Sequence, residues 1–145
     1  MRSPLHDPHQ VAIDFRDELL AKNWPDDKCI VEMAGVRLET TAHYYVAHLR
    51  AIGALLGVWV AGDRSFRYPD FQFDFHGRLR PEISDLLRVL PDNEQDSGGW
   101  RRVFWLYSPH SLLGGDIPAD VFVRDPQRIV DAARLEFNGN SDAHW

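Results

Sequence analysis

Cysteine, long apolar runs and basic charge are all scarce in this sequence. The single cysteine, Cys29, cannot form an internal disulfide, and its apolar neighbours in the sequence predict a buried thiol. The longest apolar run, from Ala54 to Ala61, is far too short to span a membrane. The formal net charge is −6, whereas a general polyanion binder would be basic. These properties exclude a disulfide scaffold and favour a protein of the reducing cytoplasm.

Motifs that carry catalysis or bind a metal or cofactor are also missing from the sequence. It contains no Walker-type glycine-rich loop, no Gly-x-Gly-x-x-Gly after a predicted strand and no cysteine cluster. His43 and His48 are five residues apart, so they do not share a helical face as an i, i+4 metal pair would. We therefore predict that the protein is not an enzyme and has no catalytic residue, metal site or cofactor.

Aromatic and aliphatic residues are plentiful, and they predict a folded chain. Hydrophobic residues make up 44% of the 145, with five Trp and eight Phe, which is enough for one good core or two small ones.

Charge is distributed unevenly along the chain. Residues 28–68 hold five basic and three acidic side chains, whereas residues 69–145 hold eight basic and thirteen acidic ones. Any contact with nucleic acid is therefore expected in residues 28–68.

The first half of the chain has the pattern of three helices followed by a β-hairpin. After a flexible tail over residues 1–10, helices are predicted over 11–24, 28–35 and 42–53. The apolar pattern then changes to a period of two residues, which indicates a β-hairpin over residues 58–73.

Particular residues mark the limits of these elements. Pro25 ends the first helix, because proline disfavours helical geometry in the residue before it. Asp26 or Asp27 caps the second helix. Gly62-Asp63 supplies the hairpin turn, and Pro69 makes the second strand an edge or breaks it. Apolar spacing predicts the buried face of the third helix, Tyr45, Leu49 and Ile52.

The second half of the chain is predicted to be helical. Helices are expected over residues 81–90, 100–107 and 125–137, and a helix or turn over residues 118–123. Ser108-Pro109 ends the second of them, and Asp125 caps the last. A solvated loop is expected over residues 91–99 and a mobile, non-helical tail over residues 138–145.

The fold class predicted is mostly α with a β-hairpin, in two parts. Residues 11–75 are expected to form a winged helix-turn-helix-like part, in which 28–35 is the supporting helix, 41–52 the reader helix and 58–73 the wing. Residues 76–145 are expected to form a small helical domain.

A winged helix-turn-helix would place exposed side chains of the reader helix and the wing tip against DNA. The alternative is a purely structural unit, since many small domains hold three helices and a hairpin without contacting DNA. A reader helix with one arginine and two histidines also offers little phosphate neutralisation. The predicted DNA contacts are Thr40, Thr41, His43, Tyr44, Arg50 and Arg64.

The stretch from Val103 to Phe122 combines apolar runs with two prolines and a glycine pair. Pro109 stops a helix, Gly114-Gly115 permits a tight turn, and Pro118 starts the next helix. The residues expected to pack this corner are Trp105, Leu106, Leu112 and Leu113, and those expected to lie outside it are Tyr107, Ser108 and His110.

Residues 64–136 resemble the toxin-binding domain of Xre/MbcA/ParS-type antitoxins. The family pattern has an Arg and a Pro before a Gln-Phe pair and a Gly, then a helix, a Trp-Leu, a Pro, a Leu-Gly-Gly-like turn, another Pro and a closing helix. The order and spacing of these elements are more specific than any one of them. The matching residues are Arg67, Pro69, Gln72, Phe73, Gly77, Trp105, Leu106, Pro109, Leu113, Gly114, Gly115, Pro118 and Val130.

The resemblance implies a partner, namely a RES-type toxin that consumes NAD, or a related toxin. Antitoxins of this family block the toxin and repress their own operon through an N-terminal helix-turn-helix domain, and a homodimer would suit a dyad-symmetric site. Their C-terminal region reaches into the toxin. The residues expected to contact the toxin are Tyr107, Ser108, His110, His144 and Trp145.

Two other functions remain open on the sequence. One is a DNA-binding transcription regulator without a toxin partner, suggested by the charge of residues 28–68. The other is an adaptor protein that uses an aromatic surface only for self-association.

Overall fold

The computed structural model describes residues 8–34, 39–91 and 98–142, and within them the chain is mostly helical with one small antiparallel hairpin. This confirms the predicted fold class at that level. The helices are α1 (Pro8–Leu20), α2 (Asp27–Ala34), α3 (Glu39–Ala51), α4 (Glu82–Val89), α5 (Trp100–Leu106), α6 (Pro118–Arg124) and α7 (Pro126–Asp142). The strands are β1 (Val58–Val60) and β2 (Ser65–Arg67), and short 3₁₀ turns cover Asp70–Gln72 and Ser111–Leu113.

The first helix begins and ends earlier than predicted, and it starts at Pro8, within the residues 1–10 predicted as a tail. α1 ends at Leu20, and Asn23 then takes a left-handed conformation with a φ of 58°. A left-handed residue cannot continue an α-helix, so the chain turns before it reaches Pro25. Trp24 consequently enters the core, where it is 2% exposed.

Asp26 caps α2, as predicted. Its Oδ1 accepts a hydrogen bond from the Cys29 N–H at 3.0 Å, and this bond holds the pKa of Asp26 below its ordinary value.

Ile30 and Val31 are buried, whereas Cys29 is exposed, so the prediction of a buried thiol is wrong. The physical reason is that a two-turn helix on the surface buries one face only.

α3 buries a different face from the one predicted. Val46 is fully buried, whereas Tyr45 is 36% and Ile52 59% exposed. The prediction is therefore wrong for Tyr45 and Ile52, and Leu49 is partly buried. Ile52 lies beyond the end of α3 at Ala51, where helical spacing no longer applies.

The predicted β-hairpin is confirmed, with a shorter second strand. β1 and β2 pair so that Val58 lies opposite Arg67, and the residue of positive φ in the turn is Arg64, at 49°. Pro69 follows closely and cannot donate to a ladder, so the strand ends and the chain enters the 3₁₀ turn Asp70–Gln72.

Gln72 joins this turn to the chain that leads into β1. The side chain is fully buried, and its Oε1 accepts a hydrogen bond from the Leu56 N–H at 2.6 Å. Its Nε2 donates to the carbonyls of Leu56 at 2.8 Å and Pro69 at 3.0 Å. Both amide donors are therefore satisfied, as burial of a polar group requires.

The outer edge of β1 is covered by the chain that enters α5. The Trp59 N–H donates to the Gly98 carbonyl at 2.9 Å, and Trp100 Nε1 donates to the Trp59 carbonyl at 2.9 Å. Gly99 is buried with a φ of 95°, and a Cβ there would lie 2.2 Å from the Gly57 carbonyl oxygen. The prediction of a solvated loop is wrong at Gly99, because this close backbone contact has no counterpart in local sequence.

The four helices of the second half are confirmed, and the last is longer than predicted. The Asp125 side chain accepts from the Arg128 N–H at 3.3 Å, which confirms it as the cap of α7. α7 continues past Phe137 to Asp142, so the prediction of a non-helical chain there is wrong. A helix packed on α4 and α6 extends by one hydrogen bond per residue without a new nucleus. Within the described ranges, none of the helices has the length and apolarity needed to cross a membrane.

Among the residues whose burial the structure describes, buried side chains form two clusters. The small cluster consists of Ile30, Val31, Val46, Leu55 and Tyr68. The large cluster consists of Leu19, Trp24, Leu56, Val58, Phe71, Ile83, Leu86, Leu87, Leu90, Trp100, Val103, Leu106, Leu113, Ala119, Val121, Phe122, Ile129, Val130, Ala132 and Ala133. It combines residues from both sides of position 75, where the sequence places a boundary between two parts, and that boundary stays a prediction.

Trp100, rather than Trp105, is the central tryptophan of the large cluster. Trp100 is 2% exposed, whereas Trp105 packs at the edge and is partly buried. Leu106 and Leu113 are buried as predicted, but Leu112 is 52% exposed, so its predicted packing in the corner is wrong.

Candidate functional site

α5 ends in a corner whose first residues are fixed by hydrogen bonds. The Tyr107 N–H donates to the Val103 carbonyl at 3.0 Å, and Ser108 Oγ donates to the Phe104 carbonyl at 2.6 Å. Pro109 follows and has no N–H to continue the helix.

The rest of the corner closes on His110. The Gly115 N–H donates to the His110 carbonyl at 2.9 Å, and the His110 N–H donates to the Asp116 carbonyl at 3.2 Å. Gly114 and Gly115 have φ values of 64° and 89°, and a Cβ at either would meet nothing within 4 Å. The glycines are required for their conformation rather than for space, which confirms the predicted tight turn.

A groove of about 400 Å³ opens beside this corner, and we call it the corner groove. It lies between the end of α4, one face of α5 and α7. Its walls are mainly apolar and aromatic. The lining residues are Leu90, Pro91, Arg101, Arg102, Phe104, Trp105, Ser108, His110, Glu136 and Phe137.

Trp105 is held in the wall of the corner groove from three sides. Its Nε1 donates to the Glu136 carboxylate, the His110 ring lies 4.8 Å away between centroids, and the Phe137 ring lies 5.8 Å away. His110 Nε2 is 2.8 Å from the Trp105 carbonyl oxygen. Because a carbonyl only accepts, Nε2 carries the proton. The groove therefore presents a fixed aromatic surface.

Two arginines add positive charge to the groove. Arg102 Nε donates to the Pro91 carbonyl at 3.1 Å and its Nη2 to the Leu87 carbonyl at 3.3 Å, which fastens the end of α4 to α5. Arg101 is exposed. Aromatic faces, a carboxylate and a guanidinium suit recognition of protein side chains.

Across the described ranges, no three His, Cys, Asp or Glu residues are grouped so that they could hold a metal ion.

Ser108 and His110 both line the corner groove, as two of the predicted toxin contacts. Ser108 already donates its hydroxyl to a backbone carbonyl, so it offers a partner its oxygen. Two other predicted contacts, His144 and Trp145, lie outside the described residues.

The Tyr107 side chain points away from the corner groove, which it does not line. Its ring centroid lies 5.3 Å from that of Trp24 and 6.1 Å from that of Phe71, and its hydroxyl is buried. Burial raises the pKa of Tyr107 well above its ordinary value. The prediction that Tyr107 lies outside the corner is wrong. Tyr107 comes two positions after Trp105, and two helical steps of about 100° turn its side chain about 200° around the axis, away from that of Trp105.

The predicted DNA contacts are dispersed. Tyr44 is 75% exposed on α3, and Arg64 is exposed at the hairpin turn. The Arg50 guanidinium instead lies 3.8 Å from the centroid of the Phe66 ring, a cation–π position against the hairpin. The backbone of Thr40, Thr41 and His43 belongs to α3, and their side chains lie outside the description.

The other residues of the family-like pattern have local structural roles. Arg67 pairs with Asp63 at 3.2 Å and with Asp26 at 3.8 Å. Phe73 forms an isolated bridge with Leu79 around a turn in which Gly77 has a φ of 78°. Pro69 is buried just before the first 3₁₀ turn, and Gln72 makes the buried amide contacts described above. Pro118 lies in the first turn of α6.

Sequence reasoning missed most of the groove residues, among them Arg101, Glu136 and Phe137. Glu136 reaches Trp105 across 31 positions of sequence, and no local pattern marks such a pair. The one available indication was that an indole N–H near the surface usually finds an acceptor.

Comparisons of the chain with protein-family models, with curated proteins and with solved structures find no match.

Proposed function

We propose that this protein is an antitoxin-like binding protein that neutralises a RES-type, NAD-consuming toxin or a related one. The observation that carries the proposal is the corner groove, an ordered aromatic surface beside the stretch that resembles an antitoxin's toxin-binding domain. The proposed contacts are Ser108 and His110, together with Arg101 and Phe137.

The groove has the physical properties of a recognition surface. Trp105 is fixed by a hydrogen bond and two ring contacts, so little side-chain freedom is lost when a partner binds. Aromatic residues and arginine dominate the binding energy of protein interfaces, and both line this groove. The exposed Arg101 adds a positive charge that an acidic partner surface would pair with.

Growth rescue with a candidate toxin tests the proposal. The wild-type protein is co-expressed with the product of the adjacent gene, or with a RES-type toxin, and the complex is then isolated and its affinity measured. We expect restored growth and a stable complex. Arg101→Glu and His110→Ala should each weaken binding at least tenfold, which is about 1.4 kcal/mol.

Arg124→Glu is the matched control, because Arg124 is also exposed but does not line the groove. It should bind as the wild type does. Arg101→Glu and Arg124→Glu should unfold at the wild-type temperature, whereas His110→Ala should unfold somewhat below it because it loses the hydrogen bond to the Trp105 carbonyl. Absence of a complex, or groove variants that bind as tightly as the control, contradicts the proposal.

The proposed role of His144 and Trp145 needs a shorter deletion than the whole tail. α7 continues to Asp142, so a cut after Asn138 would remove part of the helix as well. Deletion of residues 143–145 leaves α7 intact. A tenfold loss of toxin affinity with unchanged unfolding supports a C-terminal contact, and unchanged affinity contradicts it.

The alternative proposal is a DNA-binding regulator with a winged helix-turn-helix. It is supported by the order α2, α3, hairpin and by the exposed Arg64 at the hairpin turn. It has less support because Arg50 is stacked on Phe66 and because the exposed Tyr44 and Tyr45 of α3 carry no positive charge. A gel shift with the upstream region at two salt concentrations is decisive, since phosphate contacts are salt-sensitive.

A further inference from the structure

Glu136 connects two walls of the corner groove. It lies on α7, and its carboxylate accepts the hydrogen bond that Trp105 Nε1 donates from α5. Both side chains are partly buried, and both line the groove. This contact therefore joins α5 to α7 across the surface that we assign to a partner.

The Glu136 carboxylate is bonded to a neutral group rather than to a cation. Helical residues three and four positions apart are neighbours, but the residues at those distances from Glu136 are Ala132, Ala133, Gly139 and Asn140, and none is basic. None of the ion pairs among the described residues includes Glu136. An ionised acceptor makes a hydrogen bond roughly twice as strong as a neutral one does, so the carboxylate is a strong partner for the indole.

The Trp105 indole needs a directional contact to hold one orientation. The rings of His110 and Phe137 pack against it, at 4.8 Å and 5.8 Å between centroids. Rotation about the bond between Cβ and an aromatic ring is only loosely restricted, so a turned indole can keep similar ring contacts. Such a turn would carry Nε1 away from Glu136. The hydrogen bond therefore selects the orientation in which Trp105 lines the groove.

We propose that Glu136 is a positioning residue of the corner groove, which acts on the partner through the orientation of Trp105. The inference rests on the toxin-binding function proposed for the groove. A side chain that is already fixed loses less freedom when a partner binds, so removal of the Glu136 oxygens should weaken toxin binding roughly three- to tenfold. The role requires an oxygen that accepts a hydrogen bond, which the amide of glutamine also supplies.

NMR on the full chain without toxin tests the positioning. The indole N–H signal of Trp105 is assigned by its absence from Trp105→Phe. In Glu136→Ala this signal should shift, and its exchange with water should become about tenfold faster, as for the loss of one hydrogen bond. Glu136→Gln should keep the slow exchange. Glu18→Ala is the matched control, because Glu18 is an exposed carboxylate of α1 outside the groove, and it should leave the signal unchanged.

Affinity for the RES-type toxin used in the growth rescue measures the consequence, at a salt concentration that screens the charge difference between Glu and Gln. Glu136→Ala should bind roughly three- to tenfold more weakly than the wild type. Glu136→Gln and Glu18→Ala should bind with nearly wild-type affinity. In Trp105→Phe, which has no indole N–H, the further change Glu136→Ala should have no added effect on affinity. Circular dichroism checks that each variant is folded.

Three results would each overturn the proposal. They are an indole signal that Glu136→Ala leaves in place, a Glu136→Gln variant that binds as weakly as Glu136→Ala, and an effect of Glu136→Ala that persists in full in Trp105→Phe. A wild type that binds no toxin contradicts the proposed function instead. The NMR experiment then still decides whether Glu136 positions Trp105.

Discussion

In the part of the chain that the structure describes, the large cluster buries twenty side chains from both halves, whereas the small cluster buries five. Polar contacts flank both clusters, but beside the small one they adjoin far fewer buried side chains. The Tyr68 hydroxyl donates to Asp27, Arg67 pairs with Asp26, and Arg50 covers the Phe66 ring. A cluster with little apolar area to bury depends more on such directional contacts. The two regions should therefore respond differently to cavities, to lost hydrogen bonds and to pH.

The largest expected effect is a cavity in the large cluster. Trp100→Ala should lower the free energy of unfolding by about 3–5 kcal/mol, as for a fully buried aromatic, and it also removes the hydrogen bond to the Trp59 carbonyl. Trp105→Ala should cost about 1–2 kcal/mol, because Trp105 is only partly buried. Denaturant unfolding measures both. An equal or larger loss for Trp105 would contradict the packing described here.

A smaller loss is expected at the buried amide of Gln72. Gln72→Leu keeps the approximate volume but leaves the Leu56 N–H and two buried carbonyls without their partner. We expect a loss of about 2–3 kcal/mol, the usual penalty for buried unsatisfied groups. Gln10→Leu, on the surface, should change stability by less than about 0.5 kcal/mol. If the two variants lose the same amount in denaturant unfolding, the amide does not hold the turn to the chain before β1.

The smallest expected effect is at the cap of α2, and it depends on pH. Asp26→Ala should cost about 1 kcal/mol at neutral pH, as for loss of an N-cap. The hydrogen bond from Cys29, with the nearby Arg67, lowers the pKa of Asp26 in the folded state. Its contribution is therefore present above the unfolded pKa near 3.8 and is lost as the pH falls through the lower folded value.

Unfolding of the wild type and Asp26→Ala at a series of pH values checks this. The two curves should lie apart at neutral pH and approach each other below about pH 4. Curves that remain parallel down to acid would show that the carboxylate is not the source of the difference.

Helix existence and the hairpin could be predicted because their determinants are local. Asp26 and Asp125 cap the helices expected of them, and Gly114-Gly115 forms the expected turn. Which face of each helix is buried was predicted less well. Trp100, Val103 and Leu106 repeat every three residues and are all buried, so that spacing was a usable indication in favour of Trp100 over Trp105.

The candidate site could be predicted only where it coincides with the corner. His110 and Ser108 follow from the proline and glycine pattern, but Glu136 and Phe137 join them through packing of α7 against α4 and α6. Tyr107 faces inward because of its angle around α5, which depends on where the helix ends. Gly99 is needed for its φ of 95° and because the Gly57 carbonyl lies against it, and contacts of that range leave no local pattern.

Coverage of β1 by the chain at Gly98 and Trp100 also bears on aggregation. A two-stranded sheet has two open edges, and an open edge is a template on which other chains can add a strand. At β1 both backbone groups of Trp59 that point away from β2 are already bonded, one to a glycine carbonyl and one to an indole. Strand addition at this position would require the start of α5 to detach first. Loss of the Trp100 indole should therefore leave the purified protein more prone to form fibrils as well as less stable.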